Sequence, residues 1–209
     1  MNIPPEWLFW ARELQALAQS GLVFAAHPAD KQRYERIEEI SAQILAYSTP
    51  NKVEAVLENI RMDRGYATPK IGVRGLVFRG DKLLLVQEKY NSLWNIPGGW
   101  IEVGDQIKES VEREIWEEAG LCVKAKQLVA IWDCDKNNPQ PYHFHGYHLY
   151  FLCEDQKADI QPQPSDETSG GGFFSLPETI HLNLNPRLKS KISTLYTWKS
   201  QPPQNIEIE

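Results

Sequence analysis

The segment from Gly99 to Leu121, GWIEVGDQIKESVEREIWEEAGL, gathers Glu112, Glu114, Glu117 and Glu118 within two turns of an expected helix. At about 100° per residue, Glu114, Glu117 and Glu118 fall on one arc, with Ile107, Val111, Ile115 and Ala119 on the neighbouring apolar arc. Like charges one turn apart each destabilise an isolated helix by about 0.2–0.5 kcal/mol, and anions near a helix C-terminus also oppose the macrodipole. A helix shaped by folding alone would avoid this. A divalent cation reverses the sign, because hard carboxylate oxygens on a rigid helix suit Mg2+ or Mn2+, which can bridge to the oxygens of a diphosphate. Arg113, one turn before Glu117, is placed to orient it.

The flanks separate this segment from an ordinary solvated acidic helix. Gly98 and Gly99 allow backbone to approach a ligand, and Trp100 directly after them offers an aromatic face for a nucleobase. Asp105 is a candidate N-cap, and Gly120 suits the left-handed position that closes a helix. The segment resembles the Nudix signature: Gly99, Arg113, Glu114, Ile115, Glu117, Glu118, Gly120 and Leu121 match, while Asp105 stands where the family usually has Glu. The resemblance implies that Glu114, Glu117 and Glu118 are metal ligands and that Arg113 is a structural partner holding them. Glu167 falls where several Nudix enzymes supply another ligand or a base from outside the helix.

Further stretches, among them WLFWARELQALAQSGL, RYERIEEISAQIL, VRGLVF, LLLVQEKYNSLWNIPGGWIEVGD and ETSGGGFFSLPE, are similar to a bacterial Nudix subgroup with an N-terminal helical domain. That likeness implies substrates such as CDP-choline or ADP-ribose and dimerisation through the helices. The implied reaction is metal-dependent attack of water on the diphosphate of a nucleoside diphosphate joined to another group. It gives a nucleoside monophosphate and a phosphorylated remainder, with the general base unassigned. A nucleoside triphosphate pyrophosphatase and a non-catalytic nucleotide-sensing regulator on the same fold are the alternatives. The intact carboxylate set argues against the regulator. His143 and His145 alternate as on a strand, and Trp94, Trp132, Tyr142 and Phe144 join Trp100 as aromatics that could stack a base, though core packing or an exposed hairpin is the ordinary role of each.

The surrounding elements must position this helix. Trp7, Leu8, Ala11, Leu14, Leu17 and Ala18 recur at helical spacing. A second helix beginning near Asp30 would bury Tyr34, Ile37, Ile40, Ile44 and Leu45, and a third follows Pro50 through Val53, Leu57 and Ile60. Such apolar stripes exceed what three short helices bury internally, so docking onto a second copy is expected. After Thr68 the pattern becomes strand-like: Ile71–Phe78 and Lys82–Glu88 form a hairpin around Gly80 and Asp81, and further strands run from about Val123 to Trp132, His148 to Glu154 and Gly172 to Leu176. A terminal helix near Arg187–Trp198 and a frayed tail beyond Lys199 complete the chain. The expected fold class is a Nudix-like α/β/α sandwich with a mixed sheet, residues 67–209, preceded by a small all-helical domain, residues 1–66.

A 209-residue chain with a formal charge of −6 carries no basic field for nucleic acid, and it has no apolar run long enough for a membrane span. Cys122, Cys134 and Cys153 lack zinc-site spacing and are expected to be buried free thiols in a reducing cytoplasm.

Overall fold

The computed structural model describes residues 5–47, 52–136 and 144–209; Tyr142 and His143 lie outside them. The chain divides into two compact units, one running to Lys70 with Phe144 and His145, the other taking the remainder from Ile71 onward.

The first unit holds α1 (Glu6–Phe24), α2 (Pro28–Tyr47) and α3 (Val53–Met62) around a core of Leu8, Ala11, Ala42, Leu45, Ala46, Val56 and Ile60. Small side chains let α1 and α2 approach closely, and Ser41 Oγ donates to the Ala11 carbonyl at 2.7 Å. The buried stripe of α2 is Glu38, Ser41, Ala42, Leu45 and Ala46, so Ile40 faces solvent, as does Leu17 on α1. Small side chains take most of the face where the helix backbones come close, with Leu45 the large aliphatic side chain in it. Glu38 tolerates burial because Arg61 Nε donates to it at 2.7 Å. Asp30 lies inside the first turn of α2 rather than capping it. Phe9, Trp10, Leu17, Phe24, Tyr47 and Met62 remain exposed.

The second unit is built on β1 (Lys70–Arg79), β2 (Lys82–Glu88), β3 (Trp94–Asn95), β4 (Val123–Asp133), β5 (Gly146–Asp155), β6 (Thr168–Phe174) and β7 (Glu207–Ile208), with α4 (Ile107–Ala119) and α5 (Pro186–Thr197). The sheet order is β3-β2-β1-β5-β4-β7, with β6 also paired to β2; β7 is parallel to β4 and the sheet is mixed. Alternate residues of β2 serve opposite faces: Leu84 and Val86 join α4 through Val111, Ile115 and Ala119, while Leu83 and Leu85 join α5 through Leu188, Ile192 and Leu195. The sheet therefore lies between two helices, as the sequence led one to expect.

Two details bear on the site. β1 and β2 pair only at Phe78–Leu83 and Arg79–Lys82, where Gly80 takes a positive φ in the two-residue loop. Towards its start β1 bonds instead to the segment 97–101, with Val73 N donating to Gly99 O (2.8 Å), Gly75 N to Pro97 O (2.9 Å) and Ile101 N to Ile71 O (3.0 Å). The strands thus fork, and the glycine segment fills the fork.

The expected frayed tail is a correction. β7 pairs with Ala130 and Ile131 of β4, Trp132 Nε1 donates to Glu207 at 3.0 Å, and Lys191 pairs with Glu209 at 2.5 Å. Main-chain pairing and ion pairs hold it rather than apolar burial, so hydropathy gave no sign of it. Cys134 and Cys153 are buried as expected, but Cys122 is exposed. Among the described residues no helix is long and apolar enough to cross a membrane.

Candidate active site

α4 is held at both ends. Its C-cap, Gly120, adopts the left-handed conformation at φ 69°, and its N-cap is Gln106, which makes no side-chain cap bond. Asp105 therefore does not cap the helix. Its carboxylate accepts from Ser110 Oγ (3.1 Å) and from Arg113 Nη2 (3.1 Å) and so steadies the arginine. A single Arg113 Nη1 then sits 3.0 Å from both Glu114 and Glu117. Aspartate reaches far enough for this outer role, which accounts for its tolerance at the position. The apolar arc of the helix starts at Val111; Ile107, in the exposed first turn, is not part of it. Glu112 points away from the cluster and accepts from Ala125 N (2.9 Å) and Lys124 Nζ (3.0 Å), tying the helix to β4.

Glu114 and Glu118 are buried, whereas Glu117 is exposed. Gly98 N donates to Glu118 Oε2 at 2.8 Å, and a Cβ on Gly99 would come within 2.4 Å of the Glu114 carboxylate. The two glycines are thus seats for the two buried carboxylates. Gly98 has a second constraint, φ +142° with the Val73 carbonyl 2.0 Å from any added Cβ. Burial pushes the Glu118 carboxyl up to about 7; Arg74 and the Gly98 N–H oppose this, while the charges of Glu114 and Glu167 add to it. Burial also raises Glu114, against the pull of Arg113 and with Glu117 and Glu167 adding to it. Glu167 is exposed in the turn before β6, and its charge acts on both buried glutamates. Its neighbour Thr168 locks β6 to the end of α4 by donating to the Glu118 carbonyl at 2.6 Å.

Trp100 is 38% exposed, with its ring 5.4 Å from that of His148. Trp94 packs on Phe174, and Trp132 lies in the core between Tyr150 and Trp198. His145, half-buried, precedes β5 and its carbonyl accepts from Lys70 N; neither it nor Phe144 lies in a strand. Sequence reasoning missed Arg74, whose Nη1 donates to the carbonyls of Ile96 (2.9 Å) and Gly98 (2.6 Å), and with it His148 and Arg187. The available signal was Arg74 itself, a charge interrupting the apolar run of β1.

Glu114 and Glu118 are buried against glycine backbone and feel the charges of Glu117 and Glu167; carboxylate oxygens are hard donors of the kind a divalent cation takes, but no three of these four carboxylates bring oxygens within 4.8 Å of one another. Comparisons with known proteins give the family. Residues 68–198 match the family model described as "NUDIX domain", and residues 5–60 match "UDP-X-like, N-terminal oligomerisation domain". The chain is 34% identical over 204 residues to "Putative ADP-ribose pyrophosphatase YjhB" of Bacillus subtilis (strain 168), covering 97% of this chain and 96% of that one. A crystal structure of an ADP-ribose pyrophosphatase from Streptococcus suis 89-1591 aligns with TM-score 0.58 and 35% identity, over 68% of this chain and 100% of the other. A crystal structure of UDP-X diphosphatase aligns with TM-score 0.59 and 26% identity, over 98% of each chain.

Proposed function

The chain belongs to the Nudix family, and from that premise we propose that it hydrolyses the diphosphate of a nucleoside diphosphate joined to a second group, in the presence of Mg2+ or Mn2+. ADP-ribose and UDP-linked compounds are the first substrates to try, since its relatives carry those names. The observation that carries the reading is the pair of buried carboxylates, Glu114 and Glu118, seated on Gly99 and Gly98 beside Glu117 and Glu167.

Glu114, Glu117, Glu118 and Glu167 would hold the cation, which supplies charge neutralisation on the diphosphate and a more acidic water. Arg113 keeps Glu114 and Glu117 from splaying apart, the Gly98 N–H orients Glu118, and the exposed face of Trp100 takes the base. The oxygen of water bonds to one phosphorus, the bridging P–O bond breaks, and the bridging oxygen leaves on the other phosphate. A nucleoside monophosphate and a phosphorylated remainder result.

The helical unit is proposed to join two copies into a homodimer, supported by its exposed Phe9, Trp10 and Leu17 and by the oligomerisation domain it matches. Residues 67–209 would then form the catalytic domain and 1–66 the dimerisation domain, in a cytoplasmic protein whose described cysteines form no disulfide. The test is a panel of CDP-choline, ADP-ribose, UDP-sugars, dinucleoside polyphosphates and nucleoside triphosphates with Mg2+ or Mn2+. Cleavage of at least one diphosphate-linked compound, abolished by EDTA, is expected. Tight binding without turnover would replace the reading with a nucleotide sensor.

A further inference from the structure

His148 lies near the start of β5, on the sheet face that packs against α5, and is 97% buried, with 3% of its surface exposed. Its Nδ1 is 3.3 Å from Arg187 Nη1, and a guanidinium has only donors to offer. Nδ1 must therefore accept, which puts the ring proton on Nε2. Burial keeps the ring uncharged, and Arg74 and Arg187 act in the same sense. The Cδ2–Nε2 edge rests on Gly72, where an added Cβ would stand 2.6 Å from Cδ2 and 3.0 Å from both Nε2 and the Gly99 carbonyl oxygen. The Trp100 ring lies tilted against the imidazole, 5.4 Å between centroids. Among the described residues nothing accepts from Nε2. Nε2 is not among the buried side-chain atoms left without a partner, so its N–H opens to the surface, where an acceptor from outside the chain can reach it.

We propose that His148 is a substrate-binding residue that donates from Nε2 to a diphosphate oxygen, with Arg187 as the positioning residue that fixes its tautomer. The acceptor is an anionic oxygen rather than a base carbonyl because two guanidiniums bias the surroundings: Arg187 behind the ring, and Arg74 bonded to the carbonyl of Gly98. The Gly98 peptide joins this point to the glutamates, since its N–H holds Glu118 while its carbonyl holds Arg74. A diphosphate spanning that peptide meets carboxylate-held cation at one end and the imidazole donor at the other. The inference rests on the diphosphatase reading above.

The test measures KM and kcat of the full chain with ADP-ribose and with a UDP-sugar, alongside ADP-ribose binding in EDTA by calorimetry. His148→Phe keeps a ring and removes the donor, so KM and the calorimetric Kd should rise about tenfold to a hundredfold for both substrates, with kcat and the melting temperature little changed. His148→Gln restores an N–H near the Nε2 position and should recover most of the loss, whereas His148→Asn, with nitrogen only near Nδ1, should not. Adding Arg187→Gln to His148→Phe should cost little beyond the single change. If His148→Phe does not fold, the contrast between the Gln and Asn variants carries the test. Wild-type KM for both substrates in the Phe or Asn variant would overturn the proposal, and a loss confined to one base would overturn the choice of phosphate. A wild-type enzyme that neither cleaves nor binds either compound would instead overturn the diphosphatase reading.

Discussion

Glu118 sets folding against function. Its carboxyl, lifted from 4.5 to about 7 by burial, binds a proton more tightly in the folded chain than in the unfolded one. The stability it contributes without metal is full below pH 4.5 and is lost as pH rises through about 7, by up to about 1.4 kcal/mol per unit of separation. Melts in EDTA should show that decline for wild type and a flatter profile for Glu118→Gln, which should be at least as stable as wild type above pH 7. Turnover of the variant should fall by about a hundredfold or more, since even outer partners of metal sites are worth about 10–100-fold. Saturating metal should stabilise wild type by about 2.7 kcal/mol at a hundredfold excess over Kd, and the variant should lose most of that gain. A Glu118→Gln protein that melted far below wild type in EDTA yet turned over normally would make the glutamate structural. The two glycines separate differently. Gly99→Ala strikes the Glu114 carboxylate, so activity should drop about tenfold or more with a modest change in melting, whereas Gly98→Ala strikes strand backbone at a positive φ and should impair folding itself. Glu114, Glu117 and Glu118 were readable together in the sequence because they share one helix, α4. His148, Arg74 and Arg187 come from three elements that only strand register and helix packing bring together; Arg74 stands out in the apolar run of β1, but His148 and Arg187 look ordinary in their own segments.

Among the elements, those whose burial follows a simple period were legible. β2 and α4 show their faces in the spacing of Leu84, Val86, Val111 and Ile115. α2 misled in part: Leu45 and Ile44 pack on the core as their spacing suggests, but the rest of the contact face is Glu38, Ser41, Ala42 and Ala46, and Ile40 is left exposed. β7 was hidden because Ile208 and the preceding Ile206 stay exposed while the strand's backbone completes the edge of β4. Removing residues 205–209 should therefore lower the melting temperature, by about 2–4 °C for each kcal/mol lost with the Trp132–Glu207 and Lys191–Glu209 contacts, and leave kcat per folded molecule near wild type. Chemical denaturation and initial rates on the shortened chain check this. A kcat loss at unchanged stability would give the tail a part in the reaction.

For the whole molecule, the exposed aromatic surface of the helical unit is the feature that a lone chain leaves unexplained. Full-length protein should scatter light as a dimer, and Trp10→Glu should shift it towards monomer without lowering the melting point of either unit, Trp10 being 59% exposed in the single chain. A wild-type monomer at micromolar concentration would refute the assignment. The forked sheet has a different consequence, one of timing. The amides of Val73 and Gly75 are bonded to Gly99 and Pro97 rather than to a neighbouring strand, so their exchange with deuterium requires only that the glycine segment lift. The two amides are a clock for its opening. Any cation or nucleotide that binds only the docked segment should slow that clock by a factor of one plus concentration over Kd, while leaving the hairpin amides near Gly80 at their own pace.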